Sequence, residues 1–427
     1  MTPQAHKTEE YSYPEFFTDD FIKNPYPTYA HLRENEPVFH TTYPGEPVEI
    51  YVLSRYDDVK EAFSHPCISK QRKHVTQGLL APNAMHRKLK GFHTNLVMVD
   101  PPVHTRMRKV VTRELNPARI NALKERAQEY IDELIDAMAP RGEADLIGDF
   151  ANPLPTKVLG EWMLGIPPSK EWDEFLEKST LLVTPRYDYR AEDYDALKLT
   201  MNEFILDLLE HKRANPADDL LTAFVTAHAN GEIDDDEVIG ITVTMLLAGF
   251  ASTTFLIGNA ALALLTHPDQ MKLLQERPEL LDSAVEEFIR YDGSMQTATF
   301  RFTSEDLEIQ GTTIPRGSII VLALASAHRD PDAFERPDEF DITRGHNPHM
   351  GFGLGVHSCP GNRLGRLFTK MAIGSLVQRI PDLTLAVDPD ELKWRPGLLH
   401  RGLFELPVRF TPQPGPATGA VSEEVTP

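Results

Sequence analysis

Cysteine is what this chain has least of. Two occur in 427 residues, Cys67 and Cys359, far apart in the sequence. That excludes a disulfide framework and every cysteine-based zinc spacing, and it suits a reducing, cytoplasmic setting. Basic residues are also short. Lys and Arg number 43 against 64 Asp and Glu, a net charge of −21, which excludes a general nucleic-acid binder. Met1 to Tyr13 lacks the apolar stretch of a signal peptide. No low-complexity linker interrupts 11–410 and no repeat is visible, so one domain is expected over 13–410. A flexible 1–12 precedes it, and 411–427, rich in Pro, Gly, Ala, Ser and Thr, is expected to be disordered. Charge is absent altogether from Val238 to Leu265, a run long enough to cross a bilayer. Thr242, Thr244, Ser252, Thr253, Thr254 and Asn259 interrupt it, and neither an aromatic belt nor a basic cluster flanks it. It reads as a helix buried through a large core, roughly 45–50 Å long, with no membrane involved.

What is present is mostly helical periodicity. Helices are expected at 26–36, 56–64, 120–138, 155–164, 172–182, 192–213, 218–229 and 278–290. Strand-like pieces fall at 47–55, 307–309 and 319–324, and 391–410 looks like a closing hairpin with Gly397 and Gly402 near its tip. The fold class is mainly α with a minor β part. Asp234 and Glu237 have the spacing of a capping box at the start of the charge-free helix. Asp100-Pro101-Pro102 opens another helix, with Asp100 as N-cap. From 104 to 127 this stretch carries seven Lys or Arg and two acids, in an acidic protein. Such a local reversal of sign points to an acidic partner or to the carboxylates of a cofactor. Residues 65–98 are irregular, as lids and binding loops often are.

The most informative stretch is Phe352-Gly353-Leu354-Gly355-Val356-His357-Ser358-Cys359-Pro360-Gly361. Leu364, Leu367, Phe368, Met371 and Leu376 recur at helical spacing just after it, so Cys359 sits between a Gly-rich turn and a helix N-terminus. With His357 and Arg363 close by, the thiol is biased toward thiolate, which is what a haem iron takes as an axial ligand. The aromatic, glycine, histidine and cysteine positions together resemble the haem-binding loop of the cytochrome P-450 family, bacterial soluble type. The resemblance extends over roughly 15–410.

The resemblance implies a fold with a long central helix and haem b on Cys359, with Phe352, Gly353 and Gly361 in the cradle. It implies a bracing network of Glu287, Arg290 and Arg344, and propionate partners His104, Arg108, Arg301 and His357. Ala248 and Gly249 fall in the oxygen-binding segment. There Ala251 stands where an acid is expected and Ser252 where a Thr is expected, with Thr253 following. Protons would then arrive through water held by Ser252 and Thr253, or through a polar group of the substrate. Pro360 has no N–H to offer the sulfur, which leaves the thiolate electron-rich. Substrate contacts are implied at Leu80, Leu96, Met245, Met295, Gln296 and Leu399, with Leu79, Met85, Leu181, His93 and His400 as further candidates. The implied activity is monooxygenation of a medium-to-large organic molecule of secondary metabolism, taken free or carrier-bound. Electrons would come from NAD(P)H through a ferredoxin reductase and an acidic ferredoxin docking near Arg106, Lys109, Arg113, Arg363 and Arg366 of a monomer. Two alternatives stand beside it. One is a peroxide-driven or radical-coupling enzyme, suggested by Ala251, and the other is a haem protein that binds without oxidising.

Overall fold

A computed structural model describes residues 16, 18–42, 49–74, 88–183 and 191–414. The expected flexible start, most of the expected tail, and Leu79, Leu80 and Met85 lie outside them. Helices account for 57% of the structure, which makes the sheets the minor part.

The main sheet has five strands in the order Val38–Thr42, Glu49–Leu53, Ile319–Leu322, Arg301–Thr303 and Ile68–Ser69. Glu49–Leu53 runs parallel to Ile319–Leu322, with Ile50 opposite Ile319 and Val52 opposite Val321. Successive side chains leave a strand on opposite faces. Ile50, Val52, Ile319, Val321 and Phe302 therefore join one hydrophobic cluster, and Tyr51, Leu53, Ile320 and Leu322 another. Both faces are covered, which explains why these strands read as continuous apolar runs. The expected closing hairpin is shorter than drawn. Trp394 bridges Leu403, while Pro407–Arg409 leaves to pair with Glu143–Asp145 and Thr384–Leu385.

The charge-free run is two helical segments, Asp235–Ala248 and Phe250–Thr266, meeting at Gly249. Spanning 32 residues, they are long and apolar enough to cross a membrane, yet two thirds of their most apolar window is buried inside the molecule. The capping box at the start is formed: Asp234 Oδ1 accepts the Glu237 N–H at 2.9 Å and Glu237 Oε2 accepts the Asp234 N–H at 3.0 Å. At the break, the Ser252 hydroxyl donates to the Ala248 carbonyl (2.6 Å) and the Thr253 hydroxyl to the Gly249 carbonyl (2.8 Å). Hydroxyls bonded back one turn are a known cause of helix bending. Phe250–Thr266 packs against the helices Leu281–Asp292 and Asn362–Arg379.

The basic helix runs Val103–Glu114, and Asp100 does not cap it. The Asp100 carboxylate turns instead to Ser69 Oγ (2.5 Å) and the Lys70 N–H (3.1 Å), tying this helix start to the edge strand.

Candidate functional site

One cavity of about 490 Å³ lies between the cysteine loop and the Gly249 break. The loop is folded by local geometry. Gly353 and Gly355 have φ of +67° and +69°, a region only glycine enters cheaply. The Cys359 N–H donates to the Phe352 carbonyl at 2.8 Å, closing the loop. Arg108 Nη1 reaches in from the basic helix to the Ser358 carbonyl (2.5 Å). Burial pushes the Cys359 thiol up, and the Gly361 N–H and the Arg108 and Arg366 guanidiniums act against that. The cations that favour the thiolate are thus Arg108 and Arg366, where the sequence pointed to His357 and Arg363. Neighbours along the chain are not the neighbours in space.

The glutamate and arginine expected to brace the loop meet in the core. Glu287 and Arg290 are fully buried and bonded twice, at 2.7 and 2.8 Å. Arg344 Nε adds a third bond to Glu287 at 3.1 Å.

At one end the cavity is strongly cationic. Arg108, Arg301, His104 and His357 all line it. The His104 and His357 rings lie 4.2 Å apart; the Nε2 of His104 is buried without a hydrogen-bond partner, and that of His357 has the Asp100 carboxylate beside it. Burial, then His357 and Arg108, push His104 down to about 4. Burial pushes Arg301 down to about 10, with Asp100 opposing. Lys70, missed from the sequence, is 2% exposed and donates to the Thr299 carbonyl (2.8 Å), Thr299 Oγ1 (2.5 Å) and the Phe300 carbonyl (2.9 Å). Its carbonyl partners are neutral, so burial and the Arg301 charge carry its pKa well below the ordinary lysine value. The acid facing this group is Asp100, whose Oδ1 is 3.6 Å from His357 Nε2. Burial would raise its carboxyl, but His357, Ser69 and the Lys70 N–H hold it at about 2. Two guanidiniums, Arg108 and Arg301, and the unpartnered Nε2 of His104 line this end against one carboxylate, and they call for further negative charge. The two carboxylates of haem fit that demand.

At the other end the lining is apolar. Leu96, Met245, Met295 and Leu399 line the cavity, as do Ala248, Gly249, Ser252 and Thr253. Gln296 does not: its amide turns away to the Tyr29 hydroxyl at 3.3 Å. Its neighbour His400 is a polar group that does line the cavity from this side, packed on Phe255 with ring centroids 6.1 Å apart. An antiparallel bridge pairs Met295 with His400, and Met295, Leu399 and His400 all line the cavity. Thr254 is buried with its hydroxyl unpartnered, while Ser252 and Thr253 donate to helix carbonyls one turn back. Leu181 and His93 do not line the cavity.

A sequence model described as cytochrome P450 matches residues 23–391. The chain belongs to the cytochrome P450 family. It is 40% identical to vitamin D(3) 25-hydroxylase of Pseudonocardia autotrophica, over 93% of this chain and 97% of that protein. It is 39% identical to cytochrome P450 monooxygenase PikC of Streptomyces venezuelae, over 92% of each. The crystal structure of a myxobacterial cytochrome P450, CYP267B1, bound to myristic acid superposes with a TM-score of 0.86 at 32% identity, covering 93% of this chain and 99% of that one. The activity is that of a P450 monooxygenase, with haem b as cofactor and electrons from NAD(P)H through redox partners.

The surface expected to receive a partner is only partly available. Arg106 pairs with Glu237, Arg113 with Glu232 (2.7 Å) and Glu114 (3.1 Å), and Arg366 with Glu286 (2.6 Å). The basic character read along the helix is thus largely neutralised in space. Lys109 and Arg363 remain exposed.

Proposed function

We propose that this P450 oxidises a C–H bond of a medium-to-large, mainly apolar secondary metabolite, taken free or carrier-bound. The observation that carries this reading is the single cavity that joins Cys359, a cationic end and the apolar Gly249 break. Haem would be held through Cys359 Sγ, cradled by Phe352, Gly353 and Gly361, with its propionates taken by Arg108, Arg301, His104 and His357. When bound, it supplies the oxidising power that places one atom of O₂ in the substrate.

The chain's own residues orient the substrate and manage protons. Leu96, Met245, Met295 and Leu399 exclude water and favour an apolar face. The polar groups near them are mostly committed: Thr244 Oγ1 accepts the Leu96 N–H (3.0 Å) and donates to the Gly240 carbonyl (2.8 Å). Recognition therefore rests on shape, with His400 as a polar contact. Ser252 and Thr253 each spend their one hydroxyl proton on a helix carbonyl. Their oxygens can still accept, so they hold a water that carries the proton into the cavity. An acidic ferredoxin fits the exposed Lys109 and Arg363.

A second reading, peroxide-driven oxidation, is favoured by one fact: among the described residues, the cavity lining contains no Asp or Glu. A library screen for substrates that shift the ferric haem spectrum comes first. Turnover of a hit with ferredoxin, reductase and NAD(P)H is then compared with turnover on peroxide alone. Oxygenated product from the first supports the proposal. Product from peroxide only replaces it with the second reading, and ligand binding with no product in either overturns both.

A further inference from the structure

Two acids stand side by side in the helix Leu281–Asp292, and they face different partners. Glu287 turns inward to Arg290 and Arg344, whereas Glu286 turns toward the cysteine loop. The Glu286 carboxylate accepts from Arg366 Nε (2.6 Å), Arg366 Nη2 (2.9 Å) and His349 Nε2 (2.8 Å). His349 Nδ1 accepts the Gly351 N–H at 3.2 Å, which leaves the ring proton on Nε2 for Glu286. Arg366 lies over the Phe352 ring, 4.5 Å from its centroid. Its Nη1 reaches Asn362 Oδ1 (3.4 Å), and Asn362 Nδ2 donates to the Cys359 carbonyl (2.8 Å). The three side chains therefore touch the loop where it starts, at Gly351 and Phe352, and through Asn362 where it ends. Gly351 itself is pressed on the helix: a Cβ there would sit 2.3 Å from Ile289 Cγ2. Burial would raise the Glu286 carboxyl, but His349 and Arg366 hold it at about 2, so it is an anion at neutral pH. None of the three lines the cavity.

We propose that Arg366, Glu286 and His349 form a charged clamp that positions the cysteine loop and sets the field in which the haem iron changes oxidation state. They are positioning residues. Arg366 is a cation near the ligand side, and a cation favours the reduced centre because reduction lowers its positive charge by one. Glu286 opposes this and at the same time holds Arg366 in place. The two charges thus balance each other in a region screened from water better than the surface. The inference rests on haem being bound through Cys359. A wild-type protein without a thiolate-type Soret band in its ferrous carbon monoxide complex would fail that reading, and the clamp with it.

The test is a redox titration of the holoprotein with a chemical reductant, followed in the Soret band, for wild type, Glu286→Gln, Arg366→Met and Arg366→Lys. At the wild-type midpoint, Glu286→Gln should raise the ferrous-to-ferric ratio severalfold and Arg366→Met should lower it severalfold. Arg366→Lys should stay near wild type. Opposite signs are the signature of charge, since a merely structural clamp would loosen the loop in both variants and move them alike. Shifts of one sign, or no shift, overturn the proposal. If Arg366→Met loses the thiolate-type band, retention of that band in Arg366→Lys supports the charge role, and loss in both overturns it.

Discussion

Replacing Glu287 by Gln tests how the cysteine loop is braced. The side chain is fully buried and accepts five hydrogen bonds: Arg290 Nη2 at 2.7 Å and Nε at 2.8 Å, the Asp341 N–H at 2.9 Å, Arg344 Nε at 3.1 Å and Asn347 Nδ2 at 3.2 Å. Gln keeps the shape but turns one acceptor into a donor that meets donors, and it leaves the Arg290 guanidinium charged in a site with no exposure. Breaking one side of a buried ion pair costs about 3–5 kcal/mol. Asn347 lies five positions before Phe352, so the damage should reach the loop and appear as faster haem loss. Urea unfolding of the holoprotein, followed by circular dichroism and by the Soret band, measures both. The double variant Glu287→Leu with Arg290→Met sharpens the test. An isolated buried pair can often be replaced by apolar residues without loss. Here Arg290 also donates to the carbonyls of Pro337 (2.6 Å), Glu339 (2.9 Å) and His328 (3.0 Å). Removing it orphans the Pro337 and His328 carbonyls at about 1–3 kcal/mol each, while the Glu339 carbonyl keeps Arg344 Nη2 at 3.1 Å. The double variant should therefore stay as unstable as the single one. A loss below about 1 kcal/mol for Glu287→Gln, or recovery to wild type in the double variant, would refute this account.

Three further outcomes are expected. Glu286 contributes stability that is present above its unfolded value of 4.5 and is lost as pH falls toward about 2. Because the carboxylate is 32% exposed, screening reduces this to about 1 kcal/mol, and Glu286→Gln should be less stable than wild type at pH 6 by about that much, converging with it near pH 2 in urea titrations. Pro360→Leu adds an N–H beside a sulfur that already receives one from Gly361, so the haem reduction potential should rise by the equivalent of about 1 kcal/mol in a spectroscopic redox titration, and an unchanged potential would show that the new N–H does not reach the sulfur. Charge reversal at Lys109 or Arg363 should slow reduction by an acidic ferredoxin in stopped flow, with the difference shrinking at high salt, whereas reversal at Arg113, which is paired to Glu232 and Glu114, should matter less.

The sequence by itself singled out the candidate residues for the chemistry. Cys359, its glycines, the Glu287–Arg290 spacing and the long apolar helix are local patterns, and local patterns follow from backbone conformation and from the 3.6-residue period. The class of fold followed from the same signals. What only the tertiary structure decided is where charges meet. Asp100 looked like a helix cap and instead ties down Ser69 and Lys70. Arg106, Arg113 and Arg366 looked like a docking surface and are paired to Glu237, Glu232 and Glu286, residues at least 80 positions away in the chain. Lys70 carried no sequence signal, because a lone lysine is normally at the surface, and its burial depends on three oxygens of Thr299 and Phe300, which arrive from a segment more than 200 positions on, just ahead of the strand Arg301–Thr303. Gln296 and His400 both read as polar contacts, and the fold keeps only His400 at the cavity, because the Gln296 amide is taken by the Tyr29 hydroxyl. Electrostatic partners act across space and leave no period in the sequence. That is why the candidate iron ligand could be read from ten residues, while the charges around it required the whole fold.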